Sequence, residues 1–90
     1  MSDILRVRLL VFGTVQGVGF RPFVDRLSRR YSLGGFIRNT ARGVTIELEG
    51  GAQAIEAFCS AFTAEAPPLS LIERIERTTL SPAGQRDFVI

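Results

Sequence analysis

Apolar residues change their spacing at a glycine-bearing break early in the chain, and that switch restricts the fold more than any other feature. Before the break, in residues 4–12, Leu5, Val7, Leu9 and Val11 recur at every second position, the period of a β-strand with a buried face. After it, Phe20, Phe23, Val24, Leu27 and Tyr31 recur at every third or fourth position, the period of an amphipathic helix. Arg6 and Arg8 open the strand's second face, but Leu10 and Phe12 close it, so a central strand covered by other structure is expected. Asp25, Arg26, Ser28 and Arg29 take the helix's polar face. Arg29 and Arg30 fall in its last turn, where the helix dipole favours cations, and Gly34-Gly35 is expected to end it.

The rest of the chain extends the pattern. Residues 35–40 read as a short strand, and Val44, Ile46 and Leu48 alternate with Thr45, Glu47 and Glu49 in the next. Residues 40–43 connect the two as a hairpin. A second helix spans residues 52–64, with Ile55, Phe58, Cys59 and Phe62 on one stripe, and Pro67-Pro68 stops it. Residues 71–80 read as a strand in which Ile72 and Ile75 break strict parity, which predicts a bulge. Residues 86–90 add a short final strand or edge extension. The order strand, helix, strand, strand, helix, strand is α+β. It predicts a ferredoxin-like βαββαβ sandwich, an antiparallel sheet with two helices on one face. Residues 1–90 are expected to form one domain, without repeat or linker. Such a fold hosts many functions, so function must come from the site.

Composition closes several routes. Cys59 is the single cysteine and histidine is absent, so an internal disulfide and a histidine base are excluded and a zinc site would have one soft ligand at most. No cofactor and no metal are expected. All 11 basic residues are arginine, which excludes a Walker lysine and Schiff-base chemistry. No apolar run approaches the roughly 20 residues that span a bilayer. Met1-Ser2-Asp3 carries an acid where a signal peptide would be basic, so a cytoplasmic location without membrane contact is expected. A formal charge of +2 is weak evidence for nucleic acid. Thr45, Glu47 and Glu49 on one strand face would repel RNA, so no nucleic-acid partner is expected. Glu47, Glu49, Glu73 and Glu76 read as a solvated sheet face rather than as catalytic acids.

The break itself, Val15-Gln16-Gly17-Val18-Gly19-Phe20-Arg21, has the makings of an anion site. Its successive amides can turn inward as a nest at a helix N-terminus, and glycines at 17 and 19 let the backbone close on an anion. Arg21 adds a planar fork of donors suited to phosphate oxygens. Local geometry leaves open a plain strand-to-helix turn with Arg21 in solvent.

The run Val11-Phe12-Gly13-Thr14-Val15-Gln16-Gly17-Val18-Gly19-Phe20-Arg21 resembles the signature of the acylphosphatase family position for position. Gly35-Phe36-Ile37-Arg38-Asn39, followed by Gly43, resembles that family's second signature. With the matching element order, the resemblance covers nearly the whole chain. It implies hydrolysis of acyl phosphates, with the loop backbone of residues 15–21 and Arg21 binding the phosphoryl group and Asn39 orienting the attacking water. Asn39 suits that role because its amide donates and accepts at once without titrating; read by itself it is also an ordinary turn residue. Pro22 after the loop and Val44 directly after Gly43 resemble a branch of the family, the acylphosphatase-like N-terminal domain of hydrogenase-maturation carbamoyltransferases. That branch implies carbamoyl phosphate as substrate and further domains of a larger parent chain as partners. A stand-alone acylphosphatase, or a module that grips phosphate or carbamoyl phosphate without turnover, are the alternatives.

Overall fold

A computed structural model describes residues 3–90. Met1 and Ser2, part of the N-terminal segment read above for a targeting signal, lie outside the described residues. The elements are β1 (Ile4–Thr14), α1 (Phe20–Arg30), β2 (Gly34–Asn39), β3 (Gly43–Gly51), α2 (Ala52–Ala64), β4 (Leu71–Leu80) and β5 (Phe88–Val89). The sheet order is β4-β1-β3-β2-β5, the ferredoxin-like arrangement expected. β1 to β4 pair antiparallel, whereas β5 lies parallel to β2 through Gly35–Phe88 and Phe36–Val89. The sheet is therefore mixed, a detail that alternation within one strand does not encode. Among the described residues no helix is long and apolar enough to cross a membrane.

One cluster forms the core. Val7, Leu9 and Val11 of β1 and Val44, Ile46 and Leu48 of β3 meet Phe20, Phe23, Val24 and Leu27 of α1 and Ile55, Phe58 and Phe62 of α2. The helices join through aromatic rings: Phe20 meets Phe62 edge-on at 5.4 Å between centroids, and Phe23 stacks on Phe62 at 6.0 Å. Such pairs add about 0.5–1.5 kcal/mol beyond their buried area. The expected bulge falls at Glu73: Phe12 pairs Arg74 while Gly13 pairs Ile72, leaving one extra residue on β4. It lets Ile72 and Ile75 both pack against the core.

Four expectations are corrected. Ser28, assigned to the polar face of α1, is fully buried. Its hydroxyl donates to the Asp25 carbonyl at 2.8 Å, which satisfies the only polar atom that burial would strand. β1 is a central strand as expected, between β4 and β3, but Leu10 and Phe12 are not covered by a second layer; they are half-buried on the sheet's open side, where the Arg74 guanidinium lies 4.4 Å from the Phe12 ring centroid. α1 ends before Gly34-Gly35, which lie inside β2. There a side chain at Gly35 would run into the Glu47 carbonyl.

Ser32 does the capping instead. Its φ of 56° is left-handed, Leu33 N–H donates to the Ser28 carbonyl at 2.8 Å and Ser32 N–H to the Arg29 carbonyl at 3.2 Å. That is a Schellman motif with serine where glycine is favoured. Ser32→Gly relieves the strain and is expected to stabilise by roughly 0.5–1 kcal/mol after the unfolded-state entropy of glycine is counted. Thermal melting should show Tm rising by roughly 2–8 °C; an unchanged or lower Tm contradicts the assignment of strain.

The fourth correction concerns the acids. Glu73 and Glu76 are exposed as expected, but Glu47 and Glu49 are only 7% and 5% exposed. Strand register explains it, because β1 sets Arg6 opposite Glu49 and Arg8 opposite Glu47. Arg6 Nε donates to Glu47 Oε1 and its Nη1 to Glu49 Oε1, both at 2.8 Å, and Arg8 Nε donates to Glu47 Oε2 at 3.0 Å. Residues 81–87 then pass from β4 to β5 over these groups. Ala83 and Gly84 N–H donate to the Glu49 carboxylate at 2.7 Å, and Arg6 Nη2 donates to Gln85 Oε1 at 3.1 Å. The face is neither solvated nor unneutralised, so the repulsion expected of it towards RNA does not arise.

Candidate functional site

β1 and β2 run in the same direction, since both are antiparallel to β3. Their C-terminal ends therefore reach the same end of the sheet, and the loop of residues 15–19 and Asn39 meet there. The loop is pinned by its apolar members. Val15 and Phe20 are each 1% exposed and Val18 packs partly against the core, so the side chains of Val15 and Phe20 face inward and leave their backbone to the loop surface. Gln16, Gly17, Gly19 and Arg21 are exposed between them.

Gly17 and Gly19 hold φ of 72° and 79°. Left-handed residues alternating with ordinary ones are the pattern that turns successive amides to one side as an anion nest. Gly19 is also the N-cap of α1, which has no side-chain cap and no acid in its first turn. Its positive end is thus left for an external anion. Arg21 stands at that end, exposed, and enters none of the side-chain ion pairs among the described residues.

Asn39 is the last residue of β2 and pairs with Val44, which in turn pairs with Val11. It shares the parity of Ile37, on the side of the helices, but lies beyond the core and is exposed. Arg38 has the opposite parity and lies with its guanidinium 5.3 Å from the Phe36 ring centroid. Chain topology thus sets the loop after β1, the start of α1 at Arg21 and the end of β2 at Asn39 toward one end of the sheet, with Val15, Val18 and Phe20 packed on the core.

Two features of the site had no local signal in the sequence. The Gln16 side chain bonds from the loop to the β2–β3 turn, donating from Nε2 to the Thr40 carbonyl at 2.6 Å and the Gly43 carbonyl at 2.7 Å. Gly43 lets β1 approach, because a side chain there would run into the Val11 carbonyl. Each is a contact between residues far apart in the chain. Cys59 is half-buried on α2, and burial pushes its thiol above the ordinary value, so it is a poor nucleophile. Among the described residues no group of three or more His, Cys, Asp or Glu stands close enough to hold a metal ion.

Comparison with known proteins agrees with this fold. The family model described as Acylphosphatase matches residues 7–90. Carbamoyltransferase HypF of Rhizobium leguminosarum bv. viciae is 47% identical over 89 residues, which are 99% of this chain and 12% of that relative. The chain thus spans about an eighth of the length of that protein. In the crystal structure of full-length HypF in its phosphate- and nucleotide-bound form, the matching part has a TM-score of 0.95 at 37% identity, covering 99% of this chain and 12% of the other. The acylphosphatase of Bacillus subtilis matches at equal length, with a TM-score of 0.88 and 36% identity over 96% of this chain and 97% of the other. With the family model spanning nearly all of the chain and full-length relatives sharing both its fold and its sequence, the chain belongs to the acylphosphatase family.

Proposed function

We propose that this chain hydrolyses acyl phosphates, with residues 1–90 acting as one domain, Arg21 and the loop amides of residues 15–21 binding the phosphoryl group and Asn39 placing the water. The observation that carries the reading is the convergence, by chain topology, of three things toward one sheet end: a helix N-terminus with no side-chain cap and with left-handed glycines, an arginine that enters none of the side-chain ion pairs among the described residues, and an exposed asparagine closing β2. Phosphoryl oxygens would take the loop amides and the Arg21 fork, which offset charge in the transition state. Water on the Asn39 amide attacks phosphorus in line, and the bond to the acyl oxygen breaks with its electrons leaving on the carboxylate or carbamate. Such a leaving group needs no protonation, so a site without histidine suffices. The water's proton departs with the phosphate product.

The likeness to HypF supports a narrower reading, in which the substrate is carbamoyl phosphate and the chain serves, in the cytoplasm, as the N-terminal domain of a carbamoyltransferase in hydrogenase maturation. Arg21→Ala tests the phosphate site. It removes charge-assisted bonds of ~1.5–3 kcal/mol apiece, so the affinity for inorganic phosphate should fall by roughly 10- to 100-fold or more with the fold unchanged. Amide shifts in a phosphate titration measure it; binding retained alongside a large drop in Tm would give Arg21 a structural role instead.

A further inference from the structure

We propose that Gln16 is a positioning residue, setting Asn39 relative to the phosphate-binding loop through its side chain. The inference rests on the hydrolytic reading above and deepens it. Gln16 Nε2 donates to the carbonyls of Thr40 and Gly43 at 2.6 and 2.7 Å. Both partners are carbonyl oxygens that can only accept, so the nitrogen is the atom that faces them and both of its hydrogens are engaged. Those donors are thereby committed to the turn, leaving the Gln16 backbone amide for the anion nest.

The two carbonyls close the β2–β3 turn, where Thr40 N–H also donates to the Gly43 carbonyl at 2.9 Å. Thr40 follows Asn39 directly. One side chain therefore ties the segment that holds phosphate to the strand end that holds water, across 24 residues of chain. A second tie, Gly13 N–H to the Arg42 carbonyl at 3.2 Å, fixes the end of β1 ahead of the loop; Val15, Val18 and Phe20 hold the loop onto the core, and the Gln16 side chain joins it to the turn. The loop needs such a fastener because Gly17 and Gly19 make its backbone permissive. In-line attack is sensitive to placement: a 1 Å displacement costs on the order of 10²-fold in rate.

Gln16→Ala removes the tie, and Gln16→Glu keeps its size while turning both donors into acceptors that face carbonyl oxygens. With acetyl phosphate and carbamoyl phosphate as substrates, each variant should lower kcat by roughly 10- to 100-fold and leave KM within about threefold. In an Asn39→Ala background the same change should cost less than about twofold, because it acts through Asn39. Equal costs in both backgrounds, or a change confined to KM, would overturn the proposal.

A titration with inorganic phosphate reads the same tie without turnover. The intact chain should show shifts at residues 16–21 and also at 39–43. Gln16→Ala should keep the first set, with affinity within about threefold, and lose the second. If the intact chain hydrolyses neither substrate yet the second set of shifts is lost in the variant, the hydrolytic reading fails and the tie stands. If the intact chain turns over and Gln16→Ala matches it in kcat and in shifts, the tie fails and the hydrolytic reading stands.

Discussion

Replacing Asn39 with alanine is expected to lower acyl-phosphate turnover by on the order of 10²- to 10³-fold while phosphate affinity stays nearly intact. The magnitude follows from losing one positioned polar group that acts only in the transition state, about 2.7–4 kcal/mol. A loss of that kind lowers kcat and kcat/KM together. Asn39 is exposed beyond the core, on the same side of the sheet as Ile37, so the substitution creates no cavity and Tm should hardly move. Steady-state kinetics paired with a phosphate titration decide the matter. Equal losses of binding and turnover would make Asn39 a substrate-binding group, and unchanged turnover would return it to a turn residue. An intact chain that binds phosphate but never turns over would instead favour the non-hydrolytic module.

The largest stability effect is expected at Arg6. Arg6→Met leaves Glu47 and Glu49 buried without the guanidinium that serves both. Breaking a buried pair from one side costs roughly 3–5 kcal/mol, with Arg8 on Glu47 and the Ala83 and Gly84 amides on Glu49 holding the loss to the low end of that range, against a total of roughly 5–13 kcal/mol for a chain of this size. Tm should fall by at least about 12 °C, and amides of residues 81–87 should exchange faster because their anchor, Glu49, is no longer held. Adding Glu47→Gln and Glu49→Gln to Arg6→Met should recover part of the loss by removing the stranded charges. A triple variant no more stable than Arg6→Met would mean that packing, not charge, sets the cost.

The same network dictates an acid dependence. Burial alone would raise the Glu47 carboxyl, but hydrogen bonds from Arg6 and Arg8 outweigh it and hold it below the ordinary carboxylate value. The Ala83 amide, then Arg6, lowers the Glu49 carboxyl. Carboxylates depressed in the folded state contribute stability that is complete above their unfolded pKa of about 4.3 and is lost as pH falls through the lower folded values. Denaturation midpoints should therefore drop on acidification below about pH 4.3, and the drop should be shallower in Arg6→Met.

Much of this molecule is written locally. The change from two-residue to helical spacing between Val11 and Phe20 fixes where β1 stops and α1 starts, because each period places side chains on one face of only one kind of backbone. The stripe through Ile55, Phe58 and Phe62 sets α2 within its observed bounds for the same reason. The broken parity at Ile72 and Ile75 announces the bulge at Glu73. Glycines at 17 and 19 with Arg21 beside a helix start mark the anion loop, since amide geometry and the helix dipole are properties of neighbours in sequence.

Other features needed the assembled sheet. Whether Glu47 faces water or Arg6 depends on which strand lies beside β3, and on a segment that crosses from β4 to β5; Arg6 and Gln85 are 79 residues apart. Ser28 is buried because α1 turns that position inward, and its side chain satisfies itself on its own helix, so polarity alone misplaced it. Gln16 reads as a backbone member of the phosphate-binding loop, and its side chain gains a role only when the β2–β3 turn arrives against it. Periodicity records which face a residue takes, not what comes to lie against that face. The sequence alone therefore determined the elements, their order and the chemistry of the loop. The tertiary structure decided which charges are buried, how the final strand pairs and what ties Asn39 to the loop, because those contacts exist only once distant segments share one sheet.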